Sequence, residues 1–285
     1  MDEYLKTFRE MISLRGLTDR TIKSYSTYVK AYLDYLHNII HKKPEDVTWQ
    51  ELREFVVFIE KQRQLSDRTM NHCISQLRFF TLYVLHKPWD QYQLPHRKFN
   101  TFLPYVPSRE EVFQFISSIV DLKLKTMVAL MYSAGLRIGE VRHLRYQDIS
   151  RKEMNIHIAE TKNRSDRYAI LSENMLALLT RYWYSYQKPN GWLFTQPTNK
   201  EKPIDSQTIN RHFNKHRSSY NFNPKLTCHS LRHGFATHLY EDGTDLLTIK
   251  TLLGHKCLNS TTIYISLARN EIGKVTSPFD RMAGD

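Results

Sequence analysis

The chain has 285 residues, of which 41% are hydrophobic, 12% aromatic and 25% charged, which excludes a disordered, collagen-like or disulfide-scaffold protein. Lysine and arginine outnumber aspartate and glutamate by 41 to 29, so the formal net charge is +12 and the isoelectric point is about 9.5. Because such a surface attracts polyanions, nucleic acid is the partner that we expect first.

The three cysteines are too few and too scattered for a disulfide framework, and no pair has the spacing of a thiolate metal site. This pattern is typical of a reducing compartment, so we expect a cytoplasmic protein. The first ten residues are charged throughout, and no apolar run approaches the roughly 18 residues that a membrane span requires. We therefore expect neither a secretion signal nor a membrane partner.

Helical periodicity dominates the first third of the chain. Apolar residues recur at helical spacing behind Thr18, an N-cap candidate, and residues 65–69 (LSDRT) repeat the opening LTDRT of residues 17–21. Further helices are predicted from Tyr4 to Ile12 and from Pro44 to Ile59, the latter starting near Thr48. Residues 1–90 are thus predicted to form a small helical bundle.

A proline-rich stretch, residues 91–107, has no sustained period and predicts a linker. Ser108 followed by Glu111 predicts a capping box that opens the next helix. Lysine and arginine outnumber the acidic residues by 16 to 12 in residues 1–100 and by 25 to 17 in the remainder. Both lobes are therefore basic, and we expect them to hold a polyanion between them.

The second lobe is predicted to be mainly helical with a small β-sheet. An apolar helix stops at Gly135, and a short helix follows it. A polar turn separates two short segments with strand-like patterns, which predicts a hairpin or small sheet. The predicted elements are the short helix at 140–144, strands at 155–158 and 168–171, helices at 173–186, 206–220, 230–240 and 246–253, and a mixed basic tail.

The segment CHSLRHGFATH has the side chains of a metal site but not its pattern. His229 and His233 would share a helix face, with Cys228 and His238 nearby. The segment lacks the glutamate of HExxH, however, and Arg232 would place a fixed positive charge beside the metal. An anion suits this segment better. The nine glycines form no phosphate-cradling loop or dinucleotide motif, so we expect no metal and no cofactor.

Five segments of the second lobe, read in chain order, are AGLRIGEVRHL, ETKNRSDR, HSLRHGFATHL, LLGH and NSTTIYIS. Together they resemble the successive boxes of the tyrosine recombinase, or phage integrase, family. The first lobe is similar to the helical core-binding domain of that family. The resemblance implies a SAM-like DNA-binding domain over residues 1–90, a linker over 91–107, and a catalytic domain with a C-terminal tail over 108–285.

The resemblance also implies six site residues. Two arginines match the family's phosphate ligands, two histidines match its H-x-x-R and L-G-H boxes, a lysine matches the residue that protonates the leaving group, and a tyrosine matches the nucleophile. Glu140 is implied as a partner of the first arginine, and Arg164 and Arg167 are the alternatives for the place of the lysine. The six residues are Arg137, Lys162, His229, Arg232, His255 and Tyr264.

These residue types suit metal-independent cleavage of a phosphodiester. The reaction needs a nucleophile, neutralisation of the charge that develops on the phosphate, and a proton for the leaving oxygen. Arginine forks match phosphate oxygens, and a tyrosine that attacks phosphorus forms a 3′-phosphotyrosyl bond. One phosphoester is exchanged for another, so the rejoining step needs no ATP.

The resemblance therefore implies a site-specific recombinase of double-stranded DNA, acting in integration, excision, transposition or resolution. The alternatives are a type IB topoisomerase and a catalytically silent DNA-binding regulator of the same fold. The length favours a simple two-domain type similar to Xer, integron or transposon-borne recombinases, and the ending VTSPFD resembles integron-type members. The family's cyclic tetramers imply self-association on DNA, with the tail docked on a neighbouring subunit.

Overall fold

The computed structural model describes residues 2–100, 102–159 and 166–267, without the side chains of Arg20 and Asn259. The chain divides into two compact units, residues 1–101 and 102–285. Helices dominate both units, and a three-stranded antiparallel sheet lies in the second. The predicted fold class, mainly α with a small sheet in the C-terminal lobe, is confirmed.

Four helices form the first unit: α1 (Asp2–Leu14), α2 (Asp19–Tyr35), α3 (Trp49–Arg63) and α4 (Asp67–Tyr83). The sequence repeat marks the starts of α2 and α4, where Thr18 and Ser66 are the N-caps. Each cap oxygen accepts from the backbone N–H three residues later, at 3.4 Å in both helices. The repeated segment is therefore a helix-start signal used twice.

The core of the first unit is aromatic. Phe55 and Phe80 are fully buried, and the ring of Tyr32 lies 5.1 Å from the former and 6.1 Å from the latter. Gln76 is a buried polar side chain whose amide oxygen accepts from the backbone N–H of Tyr28 at 3.1 Å. This bond joins α4 to α2, so the buried amide is satisfied and the two helices are held in register.

The third helix begins directly after Thr48, the predicted start, and does not include Pro44. Thr48 and Glu51 close a capping box, in which the Glu51 carboxylate accepts from the Thr48 backbone N–H at 2.9 Å. This local structure fixes the start of α3, and the preceding Pro44–Asp46 forms a separate 3₁₀ turn. A π-helical turn, Leu36–Ile40, extends α2 beyond its regular end.

The second unit contains eight described helices: α5 (Arg109–Ser118), α6 (Leu122–Ser133), α7 (Ile138–Arg142), α8 (Glu173–Ser185), α9 (Ser206–Ser219), α10 (Cys228–Glu241), α11 (Leu246–Leu253) and α12 (Asn259–Leu267). Its sheet has the order β1 (Ile149–Ser150), β2 (Asn155–Ile158) and β3 (Arg167–Ile170). Ile156 pairs with Ile149 on one side and with Ala169 on the other. The predicted strands are confirmed, and the turn at residues 160–165 lies outside the described residues.

Helix α6 runs through the core of the second unit and packs on α8 and α10. It ends just before Gly135, whose φ of +60° is strained for other residues. A Cβ at Gly135 would lie 2.4 Å from the ring of Phe235 on α10. Both the positive φ and the close contact with Phe235 thus require glycine at this position. The turn at Gly135 leads the chain to Arg137, at the start of α7.

Three details of the second unit differ from prediction. Ser108 caps α5 through the Glu111 N–H at 3.1 Å, but the Glu111 carboxylate accepts from the Tyr105 hydroxyl, so the predicted capping box is only half formed. Helix α7 begins two residues earlier than predicted, and α12 forms where periodicity predicts only a tail. In the described parts of the chain, no helix is long and apolar enough to cross a membrane.

Candidate active site

Five of the six predicted site residues belong to the described part of the second unit. Arg137 is the N-cap of α7, and His229 and Arg232 lie on α10. His255 follows α11, and Tyr264 lies on α12. Lys162 falls within residues 160–165, outside the described residues.

The carboxylate of Glu140 is the centre of a buried charged cluster. It accepts from the backbone N–H and from the guanidinium of Arg137, both at 2.7 Å, and from Arg167 at 2.8 Å. Its Oε2 also lies 3.7 Å from Nη1 of Arg232. Burial alone raises the pKa of Glu140, but the charges of Arg167 and its neighbours outweigh burial and lower that pKa overall. Glu140 is therefore an anion at neutral pH.

Arg232 is held in place by the backbone. Its side chain is only 2% exposed, and its guanidinium donates to the carbonyl oxygens of Gly135 at 2.5 Å and Leu253 at 2.6 Å. Burial and the charge of Arg137 lower the pKa of Arg232. The delocalised guanidinium nevertheless stays charged at neutral pH. Its positive charge is thus fixed before any substrate arrives.

Arg167, at the start of β3, belongs to the same cluster. Its guanidinium donates to Glu140 and to the carbonyl of Leu252, and the side chain is 6% exposed. A buried guanidinium with both ends bound does not follow a departing oxygen, which argues against Arg167 as the equivalent of the lysine. Sequence reasoning considered this residue only as that alternative. The position of this arginine, at the start of the second hairpin strand, was the sequence feature that could have indicated a buried role.

The cluster carries more positive than negative charge. The guanidinium groups of Arg137, Arg167 and Arg232 share the carboxylate of Glu140, and no other described carboxylate forms an ion pair with them. Arg137 is the most accessible of the three, with a quarter of its side chain exposed. A partly buried surplus of about two positive charges favours an anion such as phosphate.

The phenol of Tyr264 is buried beside this cluster. The residue is 1% exposed, and its ring packs with Phe235 and Leu253 in a small apolar core. Burial raises its pKa, and the charges of Arg232 and Arg137 oppose that rise only in part. The hydroxyl is therefore protonated at neutral pH, and it becomes a nucleophile only by losing that proton.

Two histidines lie beside the phenol, and a third contacts one of them. The ring of His255 stacks on Tyr264 with 6.4 Å between centroids, that of His233 lies 5.9 Å from Tyr264, and His229 contacts His233 at 4.5 Å. Burial, followed by nearby positive charges, lowers the pKa of His233 and of His255 to about 4. Desolvation and the charges of Arg232 and Arg137 also lower the pKa of His229, although its side chain is exposed. All three are neutral at pH 7.

His233 is a member of the site that the sequence interpretation considered only as a metal ligand. Its signal was the four-residue spacing from His229, which places both rings on one face of α10. Over the described ranges, no group of three or more histidine, cysteine, aspartate or glutamate side chains is arranged to hold a metal ion. The Nδ1 of His233 is buried and makes no hydrogen bond to a described residue.

The LLGH motif positions His255 through a helix cap. Gly254 ends α11 with φ +63°, and the next N–H, that of His255, donates to the Lys250 carbonyl at 3.1 Å. The Nδ1 of His255 lies 3.0 Å from the hydroxyl of Thr261 on α12. The cap therefore directs His255 toward the helix that carries Tyr264.

Comparison with known sequences adds an independent observation. The chain matches the model of the phage integrase family over residues 108–271. It matches the model of the phage integrase N-terminal SAM-like domain over residues 4–91. Both units of the chain thus correspond to models named for the same family.

Individual proteins match over nearly the whole chain. An integrase/recombinase of Sinorhizobium fredii, y4qK, is 32% identical over 270 residues, which cover 92% of this chain and 86% of the relative. The tyrosine recombinase XerA of Pyrococcus horikoshii is 26% identical over 95% of this chain and 91% of its own. A crystal structure of a lambda integrase (75–356) dimer bound to a COC′ core site has a similar fold, with a TM-score of 0.74 and 17% identity over 97% of this chain and 98% of the integrase.

Proposed function

We propose that this chain, which belongs to the phage integrase family and is a tyrosine site-specific recombinase, cuts DNA by attack of Tyr264 on a phosphate held by Arg137 and Arg232. The observation that carries the proposal is the surplus of guanidinium charge around Glu140, directly beside a buried phenol. The family resemblance that the five motifs predicted is confirmed, and the roles of the individual residues are our proposal.

The first part of the proposed mechanism is charge neutralisation. A phosphodiester carries one negative charge, and a second develops on its non-bridging oxygens as the nucleophile attacks. Arg232 is fixed by two carbonyls and Arg137 by Glu140, so both donors are in place before the reaction begins. Preorganised donors of this kind typically contribute about 100- to 1000-fold each to the rate.

The second part is proton transfer. The Tyr264 oxygen forms a bond to phosphorus while the bond from phosphorus to the 5′ oxygen breaks, which leaves a 3′-phosphotyrosyl enzyme. Neutral His229 accepts the phenol proton, and Lys162 supplies a proton to the leaving 5′ oxygen. With Nδ1 accepting from Thr261, the Nε2–H of His255 donates to the phosphate. Attack by a 5′ hydroxyl of another strand reverses these steps and joins the DNA.

The substrate that we propose is a double-stranded recombination site. The lambda integrase relative is described bound to a core site, and we extend that property to this chain. Residues 1–90 would form the core-binding domain, residues 91–107 the linker, and residues 108–285 the catalytic domain. Both lobes are basic, which suits binding to the phosphate backbone.

We also propose that the protein works in the cytoplasm and assembles as a tetramer on DNA through exchange of its C-terminal tail. Residues 268–285, which contain that tail, lie outside the described residues. A chain that ends at residue 267 should still cleave DNA while forming fewer higher-order complexes with it. Native gel analysis of DNA complexes formed by the full and shortened chains tests this proposal.

The experiment that tests the function traps the covalent enzyme on its own target. The wild-type chain and the Tyr264→Phe variant are expressed in cells with their native DNA, the cells are lysed in denaturant, and DNA attached to protein is recovered and sequenced. Tyr184→Phe, on the exposed face of α8, is the matched control. The wild type and the control should yield DNA from one or a few sites, and Tyr264→Phe should yield none.

The outcomes of this experiment distinguish the recombinase from the two alternative functions. Family membership does not favour either alternative. Adducts spread over the genome, together with relaxation of supercoiled plasmid lacking a site, would indicate a topoisomerase. DNA binding without any adduct in the wild type would indicate a silent regulator. Adducts that persist in Tyr264→Phe would refute the proposed nucleophile.

A further inference from the structure

One buried side chain connects two parts of the site that are distant in sequence. Nη2 of Arg167 donates to Glu140 on α7 at 2.8 Å, and Nη1 donates to the carbonyl of Leu252 at the end of α11. Helix α7 begins at Arg137, and α11 leads directly to His255. The Arg167 guanidinium therefore joins the element that carries a phosphate ligand to the element that carries a histidine of the site.

The chain leaves space for Arg167 at Gly254. A Cβ at Gly254 would lie 2.6 Å from Cδ and 3.0 Å from Nε of Arg167. The φ of Gly254, +63°, is a second reason for glycine at this position. The turn before His255 is thus folded directly against the stem of the arginine, and a side chain at residue 254 would displace one or the other.

Arg167 and Arg232 donate to neighbouring carbonyls, and both lie near the same carboxylate oxygen of Glu140. The consecutive carbonyls of Leu252 and Leu253 accept from Arg167 and Arg232, respectively. Oε2 of Glu140 lies 2.8 Å from the first guanidinium and 3.7 Å from the second. Loss of Arg167 would remove a donor from the Glu140 carboxylate, which holds Arg137 and lies near Arg232. It would also remove the donor of the Leu252 carbonyl, which is next in the chain to the Leu253 carbonyl that holds Arg232.

We propose that Arg167 is a positioning residue for the recombination reaction. It holds the Glu140 carboxylate and the end of α11, so that Arg137, Arg232 and His255 face the phosphate and Tyr264. Arg167 itself does not reach DNA, because its side chain is buried and both ends of its guanidinium are bound. This inference rests on the function proposed above and assigns to that site a residue outside the predicted set of six.

The test compares Arg167→Met and Arg167→Lys with the control Arg181→Met, an exposed arginine on α8. The probe is a nicked duplex carrying the sequence recovered from wild-type adducts. We expect Arg167→Met to lower the cleavage rate at saturating DNA about 100-fold, as for a lost preorganised donor, while DNA affinity changes less than roughly threefold. Arg167→Lys should recover part of the rate, since an ammonium reaches one of the two acceptors.

A double-mutant cycle with Glu140→Gln separates positioning from general loss of stability. If Arg167 acts through Glu140, the double variant Glu140→Gln/Arg167→Met should cleave no more than roughly threefold slower than the slower single variant. Melting temperatures are measured alongside, and Arg167→Lys decides the question if Arg167→Met does not fold. A wild-type cleavage rate in Arg167→Lys and Arg167→Met, or fully additive losses, would overturn the inference. Cleavage by Tyr264→Phe would instead overturn the proposed function.

Discussion

In the first unit, the described buried side chains are hydrophobic apart from Ser26 and Gln76. The second unit contains the same kind of core but also buries two arginines, Arg167 and Arg232, around the carboxylate of Glu140. Burying charge costs stability unless every group is paired, and a well-packed apolar cluster often does as well or better. The contrast indicates that apolar packing dominates the first unit, whereas the second also buries charge around its candidate site.

The largest effect on stability should come from the aromatic core of the first unit. Phe80 is fully buried, and its ring contacts those of Tyr4, Phe8 and Tyr32. Phe80→Ala should lower the free energy of unfolding of this unit by about 3–5 kcal/mol, because it leaves a cavity. Denaturant unfolding measures the loss, and Tyr92→Ala, at an exposed position, is the control. A loss below about 1 kcal/mol would contradict the description of this core.

Removal of charge from the second unit should affect rate rather than folding. Arg137→Ala should slow cleavage of the nicked duplex about 100- to 1000-fold, the usual result of losing one preorganised donor. Because Arg137 is partly exposed, its loss should destabilise the unit less than loss of Arg232. Single-turnover cleavage and thermal unfolding of the same samples measure both effects. A cleavage rate unaffected by Arg137→Ala would remove this residue from the site.

The two units should also respond to acid in different pH ranges. The pKa of His233 and that of His255 are about 4 in the folded chain, below the ordinary value of 6.5. The unfolded chain therefore binds more protons between these values, so the second unit loses stability as the pH falls from about 6.5 to 4. From pH 7 to 5 we expect each of the two histidines to contribute a loss of about 2 kcal/mol.

The first unit should keep its stability until the medium is more acidic. Hydrogen bonds from Lys42 and Thr48 lower the pKa of Glu51 to about 2, so its contribution disappears only below about pH 4.5. Each unit contains two tryptophans, so a variant that retains only Trp183 and Trp192 reports on the second unit. In thermal unfolding, the melting temperature that this signal reports should decrease between pH 7 and 5 by more than the melting temperature of the first unit. Equal decreases in both units would contradict the assignment.

The smallest effect should come from the repeated helix starts. Thr18 and Ser66 make the same cap contact, at 3.4 Å in each helix. Thr18→Ala and Ser66→Ala should each destabilise the first unit by about 1 kcal/mol and leave the rate of chemistry at saturating DNA unchanged. Unequal losses, measured by urea unfolding, would show that the two repeats are not equivalent.

The features that sequence predicted best depend on neighbours in the chain. Each helix start and stop that was predicted from a local signal depends on residues within about four positions of it. The starts at Thr18, Thr48 and Ser66 and the stop at Gly135 are all confirmed. The five motifs identified the family because their order and spacing are distinctive. Residue roles within the site remain predictions, since they concern a reaction and a DNA substrate.

The features that sequence did not predict depend on contacts between distant segments. Arg167 contacts Glu140 and the carbonyl of Leu252 only because β3, α7 and α11 converge. Glu140 is 27 residues from Arg167 in sequence, and Leu252 is 85 residues from it. At shorter range, the carboxylate of Glu111 binds Tyr105, six residues earlier, rather than its own cap. Helix α12 has no clear apolar period, and burial of Tyr264 in the small core with Phe235 explains why it forms there.

The buried phenol of Tyr264 is the group that we propose becomes attached to DNA. The most direct measurement is to react the wild-type chain with the nicked duplex in EDTA, digest the adduct, and identify the modified peptide by mass spectrometry. We predict a nucleotide joined through its 3′ phosphate to Tyr264, formed without a divalent metal. A nucleotide on another residue, a 5′ linkage, or an adduct that requires metal would contradict the account.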